Sequence, residues 1–217
     1  MGTVWQYFTD NLHEIASWTW TTIWLAAVPL VAGLIIALPI GWLASRYGWT
    51  YPPIVTGSGL LYTIPSLVLF LVLPGIIGTT ILSPINVAVA LTIYTVALLV
   101  RVVADGLTSV SQDTLAAASA MGYTSFQRLI RVQLPIAVPV IGAGVRVAAV
   151  SNVSLVSVAS IIGVAQLGEL FVNGYNLASV PPTIVGLILF VLLALLFDAV
   201  VLIVTRLLSP WQRAVAR

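Results

Sequence analysis

The stretch from residue 47 to residue 100 reads YGWTYPPIVTGSGLLYTIPSLVLFLVLPGIIGTTILSPINVAVALTIYTVALLV and contains no Asp, Glu, Lys or Arg. Arg46 and Arg101 flank it. A helix needs about 20 predominantly apolar residues to cross the roughly 30 Å hydrocarbon core of a bilayer. The stretch is therefore long enough for two membrane spans. A buried helix of a large soluble core is the weaker alternative, because apolar runs in soluble helices are usually far shorter.

The composition of the whole chain also indicates lipid as the solvent. Of its 217 residues, 60% are hydrophobic and only 6% are charged, whereas soluble domains carry about 25% charged residues. Charge-free gaps from Glu14 to Arg46, from Arg146 to Glu169 and from Glu169 to Asp198 each have room for one span. The chain has no Cys, which excludes thiol chemistry, and its net charge of +2 is too small to suggest nucleic-acid binding.

These patterns predict an all-α, polytopic membrane protein with about five transmembrane helices in one domain, residues 1–217. The predicted spans are 18–45, 53–73, 85–103, 136–162 and 181–207, and a polar loop covers 105–134. Cytoplasmic loops are enriched in Lys and Arg. In the five-span arrangement one side receives Arg46, Arg101, Arg128, Arg131, Arg206, Arg213 and Arg217. We therefore expect the N-terminus outside the cell and the C-terminus in the cytoplasm.

The polar loop includes the sequence SQDTLAAASAMGYTSFQRLIRVQLPIAVP at 111–139 and is expected to form two short helices. The first is rich in Ala and carries Asp113 in its first turn, where a negative charge suits the helix dipole. Gly122 is expected to end it in the left-handed conformation. Thr124 and Gln127 have the spacing of a capping box that begins the second helix. An ordinary amphipathic cytoplasmic loop is the simplest interpretation.

The same loop resembles the EAA loop of ABC importer permeases, in which Glu-Ala-Ala is followed by three residues, Gly, and later Leu-Pro. The matching positions are Ala117, Ala118, Gly122, Leu134 and Pro135. Ala116 stands where the family usually has Glu, which removes the polar contact that this Glu would make with the ATPase. Asp113, almost one turn earlier, is a candidate to replace it.

The resemblance extends over roughly residues 18–208 and is closest to osmoprotectant permeases, which take up glycine betaine, carnitine or choline. Thr63-Ile64-Pro65-Ser66-Leu67 resembles their TIPS segment, and Gly142-Ala143-Gly144-Val145-Arg146 resembles their AGIR segment. Ile161-Ile162-Gly163 and Leu167-Gly168-Glu169-Leu170 resemble a later Gly-rich segment. Methionine importer permeases share the short five-span plan and are the nearest alternative.

The resemblance implies the type I ABC importer permease fold and a non-catalytic transport subunit in the bacterial plasma membrane. Implied partners are cytoplasmic ATPase subunits, a second permease subunit (identical or paralogous) and an extracellular binding protein. No cofactor is expected on this chain, and ATP and Mg²⁺ are expected on the ATPase. The chain has no Lys for a P-loop, so it is not expected to be the ATPase. Its single His, His13, precedes the first span, so no Ser-His-Asp arrangement is expected. Implied coupling residues are Asp113, Ala116, Ala117, Ala118, Gly122, Arg128, Arg131, Leu134 and Pro135. Arg128 and Arg131 are equally explained as anchors on the positive inner side.

Polar residues inside the predicted spans, together with a proline at a helix irregularity, are candidates for the translocation pathway or for close helix packing. These are Thr63, Pro65, Ser66, Ser151, Asn152 and Ser154. Arg146 and Asp198 also fall inside spans, and we expect them to pair, because an intramembrane charge is costly alone. An ion-coupled secondary transporter or a membrane scaffold remains an alternative, but neither explains the EAA-like loop.

Overall fold

The computed structural model describes residues 3–211, so Arg213 and Arg217 of the orientation argument lie outside the described residues. Every element in this range is helical. The α-helices are α1 (Val4–Asp10), α2 (Leu12–Arg46), α3 (Tyr51–Thr63), α4 (Ser66–Ile77), α5 (Pro84–Thr108), α6 (Gln112–Ala120), α7 (Ser125–Arg128), α8 (Leu134–Val156), α9 (Glu169–Asn176) and α10 (Val180–Leu208). A π-helical turn, Leu129–Gln133, joins α7 to α8, and a 3-10 helix, Ser157–Ile162, extends α8.

Four continuous helical segments of the described chain are long and apolar enough to cross a membrane. They are Leu12–Arg46, Pro84–Thr108, Ser125–Ile162 and Val180–Leu208. The pair α3 and α4 makes a fifth crossing if it is counted as one span. The all-α prediction with about five spans is therefore confirmed. The longest spans exceed the roughly 30 Å core, so their ends reach beyond the hydrocarbon.

The predicted second span, 53–73, is not one straight helix. It consists of α3 and α4, which bend by 101° at a break between Thr63 and Ser66. Pro65 explains the break, because its ring excludes the preceding residue from the helical region and it has no N–H to donate. Ile64 accordingly has φ −65° and ψ 128°. The sequence predicted a single span here and no bend of this size.

The boundaries of the predicted polar loop, 105–134, also need correction. Helix α5 continues to Thr108, so the loop begins four residues later than expected. At its other end the chain is helical without interruption from Ser125 to Ile162. The second short helix is therefore the start of the fourth span. Pro135 does not break it, because the π-helical turn Leu129–Gln133 just before this proline adjusts the hydrogen bonding where an N–H is missing.

Small residues let the spanning helices approach closely. Gly41 in α2 packs on α5, where an added Cβ would lie 2.6 Å from the Val103 side chain. Gly144 in α8 meets Val102 of α5, and a Cβ there would overlap it. In lipid there is little hydrophobic drive between helices, so close packing of this kind is a main source of association. Helices α2, α5 and α8 thereby form the centre of the bundle.

A polar contact joins the same three helices in the interior. Asn152 of α8 is buried, and its side-chain amide donates to the Thr95 hydroxyl at 3.0 Å and to the Ala26 carbonyl at 3.4 Å. The Thr95 hydroxyl in turn donates to the Leu91 carbonyl at 2.8 Å. Hydrogen bonds between membrane helices contribute about 0.6–2 kcal/mol each. In this structure Asn152 therefore packs between α2, α5 and α8.

One end of the bundle collects the arginine-bearing helix ends. The Tyr51 hydroxyl, just after α2 ends at Arg46, donates to the Asp105 carboxylate near the end of α5. Arg101 forms an i,i+4 ion pair with the same carboxylate at 3.6 Å. The end of α10, with Arg206, lies beside the first half of α8, since Gly142 contacts Thr205. The polar loop with α6 and α7 joins α5 to α8 at this same end.

Candidate coupling loop and transport pathway

Helix α6 is short, polar at its start and open to its surroundings. The Ser111 hydroxyl caps it by accepting from the Thr114 N–H at 3.3 Å, and Asp113 is exposed in its first turn. Within Gln112–Ala120 only Ala118 is buried, so Ala116 and Ala117 present a smooth, exposed surface. Small side chains of this kind allow another protein to approach the helix backbone closely.

A tight turn at Gly122 ends this helix. Gly122 has φ +85°, the left-handed region that residues with a Cβ rarely adopt. The Tyr123 N–H donates to the Ala118 carbonyl at 3.1 Å, and the Gly122 N–H donates to the Ser119 carbonyl at 2.9 Å. This pair of hydrogen bonds is a Schellman motif. The left-handed end that the sequence predicted for α6 is confirmed.

The next segment begins with a complete capping box. The Thr124 hydroxyl accepts from the Gln127 N–H at 3.3 Å, while the Gln127 side chain accepts from the Thr124 N–H at 2.9 Å. This predicted feature is confirmed. Arg128 donates across the turn to the Ser119 hydroxyl, which ties the end of α6 to the start of the long helix. The whole loop is thereby held in one conformation by local hydrogen bonds.

Other predicted coupling residues lie along the start of the fourth span. Arg131 is exposed, and Leu134 and Pro135 are half-buried. Sequence reasoning missed two apolar side chains of the loop: Met121 is 70% exposed and Phe126 is 67% exposed. They lie on either side of the Gly122 turn, outside the apolar spans that the sequence predicted. An apolar residue next to a turn in a polar loop is the signal that could have identified them.

The break between α3 and α4 exposes polar groups at membrane depth. Thr63 and Pro65 are exposed and Ser66 is half-buried. The Tyr94 hydroxyl donates to the Ile64 carbonyl. The carbonyls of Tyr62 and Thr63 accept no hydrogen bond from the described part of the chain. Non-helical backbone at this depth is tolerated only where it meets protein or water.

The polar residues of α8 divide into two groups. Asn152 is buried among helices, as described above. Ser151 is half-buried, and Ser154 is exposed on the side of the helix opposite Asn152. The structure therefore separates candidates that the sequence grouped together. Ser151 and Ser154 lie on the open face of α8, and the α3–α4 break is a second exposed polar region.

The structure brings Arg146 and Asp198 together. The Arg146 Nε donates to one carboxylate oxygen of Asp198 at 2.7 Å, and its Nη2 donates to the other at 2.7 Å. This two-point geometry is the strongest that a guanidinium and a carboxylate can form. It joins α8 to α10, and both side chains retain some exposure, 38% and 28%.

The opposite end of the fourth span carries a compact loop and α9, a helix in the segment between the predicted spans 136–162 and 181–207. The buried Gln166 amide donates to the Ser157 carbonyl at 3.3 Å and accepts from the Gly168 N–H at 2.6 Å. The Thr22 hydroxyl accepts from the Leu167 N–H at 3.0 Å, which fixes the loop to α2. Glu169 begins α9, and burial raises the pKa of its carboxyl above the ordinary value.

Several helices long enough to span a membrane, a self-capped loop between two of them and a polar break within the bundle are the features of a polytopic membrane protein. The chain matches, over residues 30–213, the family model described as binding-protein-dependent transport system inner membrane component. It belongs to this family, the permeases of ABC importers.

Relatives of known name support the same conclusion. The osmoprotectant import permease protein OsmW of Salmonella typhimurium is 34% identical over 195 residues, which cover 88% of this chain and 90% of that protein. The glycine betaine/carnitine/choline transport system permease protein OpuCD of Bacillus subtilis is 29% identical over 212 residues, covering 95% and 90%. The MetNI methionine ABC transporter, solved in inward-facing conformations, has a chain that matches with a TM-score of 0.83 at 21% identity, covering 92% and 98%. That likeness confirms the fold predicted for the chain.

Proposed function

We propose that this chain is the membrane-spanning permease subunit of an ATP-driven importer for a compatible solute such as glycine betaine, choline or carnitine. The observation that carries the proposal is the family match over most of the chain, together with a coupling loop held by its Schellman turn and capping box. The substrate class is supported by the names of relatives that align with nearly their full length. Methionine, the alternative, is supported by likeness of fold alone.

Catalysis belongs, in this proposal, to partner subunits. Cytoplasmic ATPases bind ATP and Mg²⁺ and seat α6 in a groove. Ala116 and Ala117 permit the close approach, while Met121 and Phe126 supply apolar contacts, since exposed apolar side chains outside the bilayer indicate a protein interface. Asp113, exposed one turn before Ala116, supplies the acidic group that the missing family Glu would provide. An extracellular binding protein delivers the solute.

Arg128 has a different proposed role from the one inferred from the sequence. Its hydrogen bond to Ser119 supports a bracing role inside the loop, where it keeps α6 at a fixed angle to the long helix. Arg131 is exposed and suits either an acidic partner or the anionic inner surface of the membrane. The two arginines therefore separate into a brace and a surface contact.

The bundle is proposed to sit in the bacterial plasma membrane as one transmembrane domain, with the coupling loop in the cytoplasm and the N-terminus outside. The gathering of Arg46, Arg101, Arg131 and Arg206 at the loop end supports this orientation. The proposed pathway includes the α3–α4 break, where backbone carbonyls require water or a polar partner, and the exposed side of α8 with Ser154. A second permease subunit, identical or paralogous, closes the other side of that pathway.

The test is purification of the tagged chain from gently solubilised membranes, followed by reconstitution in liposomes. We expect an ATPase subunit to co-purify, and its ATP hydrolysis to rise when binding protein loaded with glycine betaine or choline is added. A chain that elutes alone, with no ATP hydrolysis in the eluate, contradicts the importer proposal. Stimulation by methionine but by neither quaternary ammonium compound contradicts the substrate class and leaves the importer class intact.

A further inference from the structure

A cavity opens beside the Arg146–Asp198 ion pair. It has a volume of about 360 Å³ and is lined by Ala143, Arg146, Val147, Val150, Ser151 and Asp198. Its walls combine one positive group, one negative group and a hydroxyl with small apolar side chains. The cavity belongs to the exposed side of α8, on the same helix face as Ser154.

Lipid is an unfavourable neighbour for this cavity. Arg146 lies well inside α8 and Asp198 well inside α10, both apolar spans. Ionised side chains at such depths almost always face a bundle interior or a water-filled space, because exposure to hydrocarbon is costly. The pair is 38% and 28% exposed, so water or protein covers it in the membrane.

The pair keeps unused binding capacity on the cavity side. The Arg146 Nε and Nη2 bond Asp198, and Nη1 makes no hydrogen bond within residues 3–211. A guanidinium carries five N–H donors, and a carboxylate accepts about four hydrogen bonds. The Ser151 hydroxyl likewise has no hydrogen-bond partner in the described chain. A small ligand with both charges can therefore contact the pair without breaking it.

We propose that this cavity is a binding subsite for a zwitterionic quaternary ammonium solute in the transport pathway. The ligand carboxylate meets the Arg146 Nη1 and the Ser151 hydroxyl, and its cationic head faces the Asp198 carboxylate. Val147 and Val150 contact the methyl groups, which cannot donate hydrogen bonds. This proposal rests on the proposed function, and it deepens it by naming where within this chain the solute is held.

The ion pair makes binding of the solute at this subsite weak, and weak binding is what a site along a transport pathway requires. Because Arg146 and Asp198 already neutralise each other, the ligand gains only the unused donors and acceptors. Conduction requires sites that are favourable enough to enter and weak enough to leave. A solute with a cationic head and no carboxylate, such as choline, has no group for Arg146. The subsite therefore favours glycine betaine and carnitine over choline.

The test uses the whole importer, with its ATPase and binding protein, in liposomes that take up labelled glycine betaine or choline. The double variant Arg146→Met with Asp198→Leu removes both charges together and leaves no lone charge, a change that proteins often tolerate. We expect it to assemble with its partners and to take up glycine betaine about tenfold more slowly, the size expected for losing a charge-assisted contact. Ser151→Leu fills the cavity without touching the pair and should slow uptake similarly. Ser17→Leu, an exposed serine of α2 outside the cavity, is the matched control and should not.

A third variant separates binding from structural support. Arg146→Lys keeps the positive charge but loses the planar fork of donors, so glycine betaine uptake should fall more than choline uptake. If all three variants take up glycine betaine and choline at the wild-type rates, the subsite is overturned. Failure of the double variant and of Ser151→Leu to assemble also overturns it, because the face is then a subunit contact. A wild-type importer that assembles but transports neither solute instead overturns the proposed function.

Discussion

At the scale of single residues, Gly122 bears most directly on coupling. Its φ of +85° belongs to the four-residue turn, 121–124, that connects α6 to the long helix. Forcing a residue with a Cβ into this region costs about 1–2 kcal/mol. The hydrogen bonds around the turn then have to re-form at another angle, which moves α6 relative to the span.

We predict that Gly122→Pro uncouples ATP hydrolysis from uptake without preventing membrane insertion. Proline fixes φ near −65° and cannot adopt the left-handed turn. Uptake by reconstituted importer should fall to background, while the amount of the subunit in the membrane stays the same. Gly48→Ala is the matched control, because Gly48 has open space around it and no positive φ. Wild-type uptake by the Gly122→Pro variant would contradict a coupling role for the turn.

Glu169 gives a prediction about pH. Burial raises its pKa in the folded state, so its contribution to stability is full below the ordinary pKa of 4.5 and is lost as pH rises through the folded value. Glu169→Gln has no carboxyl to ionise, so the variant does not lose this stability as pH rises. Thermal unfolding in detergent should therefore show the variant and wild type alike at pH 4, and the variant more stable at pH 7. A variant that is less stable at pH 7 would mean that the ionised carboxylate has a favourable partner in the membrane complex.

At the scale of elements, the question is whether water or lipid surrounds the break between α3 and α4, and cysteine labelling can answer it. The chain has no Cys, so single cysteines report cleanly on their surroundings. The thiolate is the nucleophile that attacks a maleimide, and it forms in water and not in hydrocarbon.

We predict that Thr63→Cys, at the break, reacts with a water-soluble maleimide in reconstituted importer. Leu192→Cys should not react, although Leu192 is 56% exposed, because α10 presents it to lipid. The measurement is the labelled fraction of each variant after a fixed time. If the two cysteines label equally slowly, the break does not line an aqueous pathway, and a protein partner must satisfy its free carbonyls.

Elements also mark where the sequence sufficed and where it did not. The Gly122 turn and the Thr124–Gln127 capping box were predictable, because each depends on residues within a few positions. The Arg146–Asp198 pair was predictable from the cost of isolated charge in a span. The 101° bend was not, since a proline in a span is compatible with a mild kink or a full break, and tertiary contacts such as that of Tyr94 decide between them.

Burial within the bundle was equally hidden in the sequence. Ser151, Asn152 and Ser154 are neighbours in the chain, yet Asn152 bonds two other helices and Ser154 is exposed. Successive residues of a helix point about 100° apart, so which of them faces the core depends on where the other helices lie. Helix α9 was missed for a different reason, because its Gly and Asn residues are typical of loops.

At the scale of the whole molecule, the arrangement of arginines predicts a fixed orientation. Thr9→Cys, exposed in the N-terminal helix, should be labelled by an impermeant maleimide from outside intact cells. Met121→Cys, exposed in the coupling loop, should be labelled only in inside-out vesicles prepared without the ATPase. The physical reason is the enrichment of basic residues on the cytoplasmic side. Labelling of both cysteines from the same side would contradict the arrangement of spans.

The uninterrupted helix from Ser125 to Ile162 has a mechanical consequence. Its 38 residues make a rod about 57 Å long at roughly 1.5 Å per residue. The rod runs from the braced turn at Gly122 to the Gln166 clamp before α9. A tilt of about 5° at the loop end displaces the far end by about 5 Å, and inserting one residue would turn one end against the other by about 100°. The displacement of the far end and the rotation of one end against the other are both set by the length of this single helix. The segment should therefore tolerate substitution far better than insertion or deletion.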